Sequence, residues 1–378
     1  MRNEYPRPDF KRDSFVSLNG TWEFCFDDYN VGHKEKWFVK HDFDKKIEVP
    51  FSFETKLSGI HDTTYHDHVW YHKKLKDIKL SDNHLFILHF EGVDYYSEVY
   101  INGYLIKDHY GSNAGFQVDI TNYLVEGEND LVVYCFDPSK DRSIPRGKQD
   151  WELEGHAIWY TRTTGIYKSV WLEQVDKKYI KNFFVRTKLD RYCISYDVEV
   201  SEPNGTLEII VYDGNDSVKN SFKVTKKKNT YEFCLPNDFV NDRIWTLQRP
   251  FLFDINLILK DDYGNVVDKV NSYLGIREVK TENGKVLLNG LPIYQKLVLN
   301  QGYYVDGNLT APTVEDMEKD IDDMIAMGFN GCRIHQKAED PLFLYLCDKK
   351  GFLVWQECAE NYGYSNLNQR RKIGRASC

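Results

Sequence analysis

The chain has 378 residues, 42% hydrophobic and 15% aromatic, with a formal net charge of −9. That length exceeds what one core usually supports, so more than one domain is expected, and an acidic chain without a basic block makes nucleic acid and anionic membranes poor partners. No stretch approaches the roughly 20 apolar residues of a membrane span, and the polar start Met1-Arg-Asn-Glu-Tyr-Pro-Arg-Pro gives no signal for export.

The 26 Tyr, 22 Phe and 8 Trp favour half-buried strands and supply flat faces for sugars, so a mostly β protein is expected. Cysteines at 25, 135, 193, 234, 332, 347, 358 and 378 form no C-x-x-C pair. They read as reduced thiols used as small core residues, which favours a cytoplasmic location.

From about residue 14 to 174, short aromatic strands are broken by turn pairs. The clearest is Tyr100-Ile101-Asn102-Gly103-Tyr104-Leu105-Ile106, where Asn-Gly suits a tight hairpin; Asn19-Gly20 and Gly127-Glu128-Asn129 punctuate similarly. This pattern predicts a sandwich or jelly roll. A second run, at 181–188, 192–200, 207–212, 222–224, 231–235, 253–259 and 266–271, predicts a small immunoglobulin-like sandwich, with Asp213-Gly214-Asn215-Asp216 as one of its turns.

After the hairpin around Asn289-Gly290 the periodicity changes. Thr313 caps a helix with Asp316 three residues on, and Val314, Met317, Ile321, Met324 and Ile325 form its apolar stripe up to Gly328. A strand at 330–335 follows, then a helix capped by Asp340 with Pro341 at its first position and Gly351 as its stop, then the strand Phe352-Leu353-Val354-Trp355. Strand, helix, strand, helix, strand is the rhythm of a parallel sheet, whose strands are expected to be buried on both faces.

In such units functional groups collect where strands end. Reading each strand to its carboxyl end gives Asn300 and Gln301, then Arg333, His335 and Gln336, then Glu357. A cation, an imidazole, amides and a carboxylate suit the gripping of sugar hydroxyls; the plainer alternative is an Arg333–Glu357 pair closing the sheet end. The histidines of His61-Asp-Thr-Thr-Tyr-His66-Asp-His68-Val-Trp-Tyr-His72 raise a metal hypothesis, but no Cys or His elsewhere completes a ligand spacing, and a polar strand face is the preferred reading. Lys226-Lys227-Lys228 reads as a solvated turn.

Over nearly the whole chain these residues resemble glycoside hydrolase family 2, the group of β-galactosidases, β-glucuronidases and β-mannosidases. The likeness rests on Ser17-Leu18-Asn19-Gly20-Thr21-Trp22-Glu23-Phe24, Val49-Pro50-Phe51-Ser52, Val69-Trp70-Tyr71-His72-Lys73, Phe90-Glu91-Gly92-Val93-Asp94-Tyr95 and Arg162-Thr163-Thr164-Gly165-Ile166-Tyr167. Leu274-Gly275-Ile276-Arg277 and Gly328-Phe329-Asn330-Gly331-Cys332-Arg333-Ile334-His335 extend it. The resemblance implies a jelly-roll sugar-binding domain at 1–175, an immunoglobulin-like sandwich at 176–280, and strands 1–3 of a (β/α)8 TIM barrel at 281–372. It implies retaining exo-hydrolysis of terminal β-linked sugars by two glutamates, most like a β-galactosidase.

Those two glutamates, the acid/base and the nucleophile, are expected beyond strand three, so no catalytic residue is assigned in this chain and the chain alone is expected to be inactive. Asn3-Glu4 has no strand to present it. Glu357 takes a supporting role, with Arg333, His335, Gln336, Asn300 and Gln301 in substrate binding. Ile334-His335-Gln336-Lys337 departs from the family's Ser-His-Tyr-Pro, and the galactosidase metal ligands are not evident around Asn361. No cofactor is expected here, a metal being left open for the full-length enzyme. A small glycoside is the expected partner, and homo-oligomerisation of the full-length enzyme is left open. The closing Ile373-Gly374-Arg375-Ala376-Ser377-Cys378 resembles a translated sequencing adapter, so 373–378 is read as a non-native tail. The rival reading is a non-catalytic carbohydrate-binding or interaction protein made of two sandwiches.

Overall fold

The computed structural model describes residues 2–363; residues 364–378, including the tail singled out above, lie outside the described residues. The first unit is a β-sandwich. One sheet has six antiparallel strands in the order Lys45–Val49, Gly20–Phe26, His68–Ile78, Gly127–Phe136, Tyr96–Ile101 and Tyr104–Tyr110. The facing sheet has four, Phe15–Ser17, Val170–Asp176, His84–Phe90 and Phe116–Asp119. Alternate residues turn inward along each strand, and Trp22, Phe24, Tyr71, Leu88, Phe90, Val99 and Val133 fill the space between the sheets.

Asn102-Gly103 makes the expected hairpin, with both residues at positive φ (50° and 84°) and Ile101 paired to Tyr104. Asn19-Gly20 does something else. Phe15–Ser17 and Gly20–Phe26 lie in different sheets, so this pair turns the chain across the sandwich.

The second unit packs a three-stranded sheet (Ile180–Lys188, Cys193–Val200, Lys228–Cys234) on a four-stranded one (Asp216–Lys223, Thr206–Asp213, Phe253–Lys260, Val266–Leu274). All seven expected strands are present. The short segment at 222–224 proves to be the end of the edge strand Asp216–Lys223, whose polar residues hid it; only alternate positions are even half-buried. One correction concerns the cysteines. Cys193 and Cys234 are direct cross-strand partners with Cα atoms 3.9 Å apart, and they form a disulfide. Their sequence separation of 41 gave no hint, because strand pairing alone brings them together. Cys25, Cys135, Cys332 and Cys347 are buried free thiols.

The third unit holds three parallel strands, Leu297–Asn300, Gly331–Ile334 and Leu353–Gln356, joined by the helices Val314–Ala326 and Pro341–Lys350. Both caps are as expected: Thr313 Oγ1 accepts from Asp316 N (3.1 Å) and Asp340 Oδ1 from Leu342 N (2.9 Å). Gly331 is required by close approach, since a Cβ there would lie 2.6 Å from both Leu297 and the Leu353 carbonyl. Met317, Ile321, Phe343 and Leu346 cover one face of this sheet. The other face departs from the expectation of burial on both sides. Leu299, Arg333 and Trp355 stand in register across it, and Leu299 and Trp355 are 48% and 52% exposed.

A polar network joins the two sandwiches. Buried Arg12 reaches Glu173 of the first (2.9 Å) and, through two nitrogens, Asp268 of the second (3.0 and 2.9 Å). Tyr5 bonds the other Glu173 oxygen at 2.6 Å, and Asp268 accepts from Ile180 N at 2.8 Å.

Candidate functional site

Parallel pairing sets Asn300, Ile334 and Gln356 level with one another, so the residues that follow emerge at one rim. All six residues singled out from the sequence meet there. Asn300 shapes its own turn, Oδ1 accepting from Gly302 N at 2.7 Å. Gln301 Oε1 accepts from His335 Nδ1 at 2.9 Å, which places the imidazole proton on Nδ1 and leaves Nε2 toward Glu357 Oε2, 3.8 Å away. Glu357 is gripped by the Arg333 guanidinium through Oε1, and its Oε2 accepts from Gln336 N at 3.1 Å. The Arg333–Glu357 pair of the plainer reading is therefore real, and it forms part of the wider cluster.

Burial pulls the His335 pKa below its ordinary 6.5; Glu357 opposes the shift, and Lys148 and Arg333 add to it. The ring is neutral at pH 7, able to accept at Nε2. Gln336 sits at positive φ (56°), and its side chain spans Glu360 (3.0 Å) and the Tyr362 hydroxyl (2.7 Å).

The first sandwich supplies the facing wall, which the strand-end rule did not anticipate. Arg146, Lys148 and Gln149 line a narrow cleft with Gln301, His335 and Gln336. Gly147 fits there because it has no side chain: a Cβ would lie 2.4 Å from the Gln336 carbonyl. Trp151, Trp159 and Tyr362 form an aromatic cluster beside it, with ring centroids 4.6 to 5.5 Å apart. Flat rings beside polar groups suit the apolar faces and hydroxyls of a sugar.

Behind that wall lies a group of buried acids that sequence reasoning also missed. Gln149 Nε2 donates to Asp94 at 2.5 Å, Thr164 Oγ1 donates to Asp137 at 3.0 Å, and Thr164 N donates to Glu54 at 3.3 Å. Burial raises all three: Glu54 is pushed up to about 7, and the charge of Asp137 drives Asp94 further up. Asp94 was within reach of the sequence, standing in Phe90-Glu91-Gly92-Val93-Asp94-Tyr95.

The histidine run disperses. His66 lies between Asp28 (2.7 Å) and Asp62 (3.3 Å) and stacks on Phe26, His68 bonds Tyr134 at 2.6 Å, and His72 joins Glu23 to Asp130. Among the described residues no group of three or more His, Cys, Asp or Glu side chains is placed to hold a metal ion.

A sandwich wall and parallel strand ends that converge on a sugar-suited cleft define a carbohydrate-active class of protein. Residues 15–176 match the family description "Glycosyl hydrolases family 2, sugar binding domain", and residues 178–277 match "Glycosyl hydrolases family 2". The chain belongs to glycosyl hydrolase family 2.

A putative β-glucuronidase of Formosa agariphila is 29% identical over 302 residues, 76% of this chain and 34% of that protein. A β-galactosidase of Thermoanaerobacter pseudethanolicus is 26% identical over 358 residues, 90% of this chain and 44% of that protein. The solved β-glucuronidase of Ruminococcus gnavus shares the fold, with a TM-score of 0.78 at 22% identity, over 95% of this chain and 60% of that one. The chain thus spans less than half the length of these two curated relatives. Within the described residues no helix is long and apolar enough to cross a membrane.

Proposed function

We propose that this chain supplies the N-terminal, substrate-gripping portion of a retaining exo-β-glycosidase acting on terminal β-linked sugars of small glycosides. In this reading, residues 1–175 are a jelly-roll sugar-binding domain, 176–280 an immunoglobulin-like sandwich, and 281–372 the first three strands of a (β/α)8 barrel. The open face bearing Leu299, Arg333 and Trp355 supports the barrel, because strands closed into a barrel would bury that face. The observation that carries the function is the convergence of Gln301, Arg333, His335, Gln336 and Glu357 at one rim, opposite Lys148 and Gln149.

Two glutamates about 5–5.5 Å apart perform retaining hydrolysis, one as acid/base and one as nucleophile. Glu357, tied to Arg333 and the Gln336 amide, is in this reading a support and not either of them, so the chain by itself is inactive. No cofactor is assigned. A cytoplasmic location draws on the buried free thiols, while the Cys193–Cys234 disulfide weighs against it.

β-Galactosides are the preferred substrates. The second reading is β-glucuronides, favoured by the cations Arg146 and Lys148 on the cleft, which would attract a uronate carboxylate. The test is turnover of 4-nitrophenyl β-D-galactoside against the β-D-glucuronide by the protein extended through a complete barrel. Faster galactoside release is expected. Turnover of either by the 378-residue chain alone would refute the supporting role of Glu357.

A further inference from the structure

A second cleft, of about 400 Å³, opens where the first sandwich, the second sandwich and the N-terminal segment meet. Its floor is the outer face of the four-stranded sheet. Trp171, His89 and Gln117 are level with one another across three strands, and the Trp171 and His89 rings stack at 4.7 Å, nearly parallel. Lys181 and Asn182 of the second sandwich line its mouth, and Arg7 and Glu91 its sides.

Sheet faces that meet another domain usually carry apolar residues; this one presents polar atoms to a space large enough for a small ligand. Trp171 is 2% exposed, and its indole Nε1–H has no hydrogen-bond partner among the described residues. The same holds for Glu91 Oε2 and Arg7 Nε, each inaccessible at that atom. Buried polar atoms left unbonded cost on the order of 1–3 kcal/mol each, so three on the walls of one cleft mark a place where an occupant's groups would be stabilised.

The character of the occupant follows from the lining. Arg7 and Lys181 are balanced by Asp9 and Glu91, which disfavours an ion of either sign. Two unmet donors and one unmet acceptor, with amides at the mouth, suit hydroxyl groups, which donate and accept at once. We propose that this junction cleft is a saccharide site separate from the cleft at the strand ends, taking one neutral sugar residue, free or at the end of an oligosaccharide. Burial together with the Asp340 charge pushes Glu91 up to about 8, so at neutral pH its carboxyl can also donate to a hydroxyl.

The test follows the indole N–H signal of Trp171 by NMR in the 378-residue chain labelled with 15N-tryptophan, the signal being assigned by its loss in Trp171→Phe. D-Galactose, D-glucose and lactose are the neutral probes; inorganic phosphate and D-glucuronate are the charged ones. A saturable shift with a millimolar Kd is expected for a neutral sugar. Glu91→Ala should weaken it about tenfold or more. Arg333→Ala, in the other cleft, should leave it unchanged.

A stronger response to lactose than to monosaccharides would identify a chain end as the occupant, and the reverse a free sugar. Absence of any shift up to about 100 mM of every neutral probe overturns the proposal. So does a shift produced only by the charged probes, or one abolished by Arg333→Ala. The wild-type titration decides even where Glu91→Ala fails to fold.

Discussion

The first sandwich buries carboxylates in two places and treats them in opposite ways. At the junction, Glu173 is desolvated, yet hydrogen bonding from His89, the Arg12 charge and the Tyr5 hydroxyl outweigh burial and hold it down at about 2. Behind the candidate cleft, Glu54, Asp94 and Asp137 are just as buried, but neutral donors and the distant Arg146 (3.8 Å from Asp137) do not offset desolvation, and all three rise. Burial is common to both; a close, well-aligned cation is present in one. The junction is therefore built to stay charged and hold domains together. The acid cluster is built to keep protons near a site.

The sharpest way to break this contrast is to remove the cation. Arg12→Met should leave Glu173 and Asp268 buried without it, costing about 3–5 kcal/mol in urea unfolding at neutral pH. The two sandwiches should then unfold in separate transitions. A loss below about 1 kcal/mol would show the network to be incidental.

Next in size are the two pH limbs. Glu173 is lowered from 4.5 to about 2, so its contribution is present above 4.5 and lost as pH falls toward 2. Glu54 is raised from 4.5 to about 7, so the folded state keeps a proton that the unfolded chain releases, and stability falls as pH rises through that window. Each limb is worth about 3 kcal/mol on that difference. Thermal melts from pH 3 to 8 should show both slopes. Glu54→Gln should flatten the upper one and leave the lower; an unchanged upper slope would mean that Glu54 is ionised in the fold.

The same contrast explains what the sequence could disclose. Strand alternation, Asn102-Gly103 and the caps at Thr313 and Asp340 are local signals, and the elements they predict are present. The strand-end rule brought Gln301, His335 and Glu357 together, because parallel register converts position along a strand into position in space. What escaped depends on pairings between distant segments: the Cys193–Cys234 bond, the bridge from Arg12 to Asp268, and the wall of Arg146, Lys148 and Gln149. Asp216–Lys223 escaped for a local reason, since an edge strand exposed along one side loses its apolar alternation.

The smallest expected effect lies at the cleft itself, where a third arrangement tests the rule. Arg333 and Glu357 pair like the junction groups, but their side chains are 52% and 26% exposed, so water screens the attraction. Glu357→Gln should change stability by less than about 1 kcal/mol, leaving any effect on sugar binding separable from folding. Its signature should appear at His335 instead. Desolvation lowers that imidazole and Glu357 is the leading opposing charge, so removing the carboxylate should move the His335 midpoint further below 6.5 in an NMR titration. An upward shift would mean that Glu357 does not act on His335 as a neighbouring charge, and that the two share a rim without sharing a site.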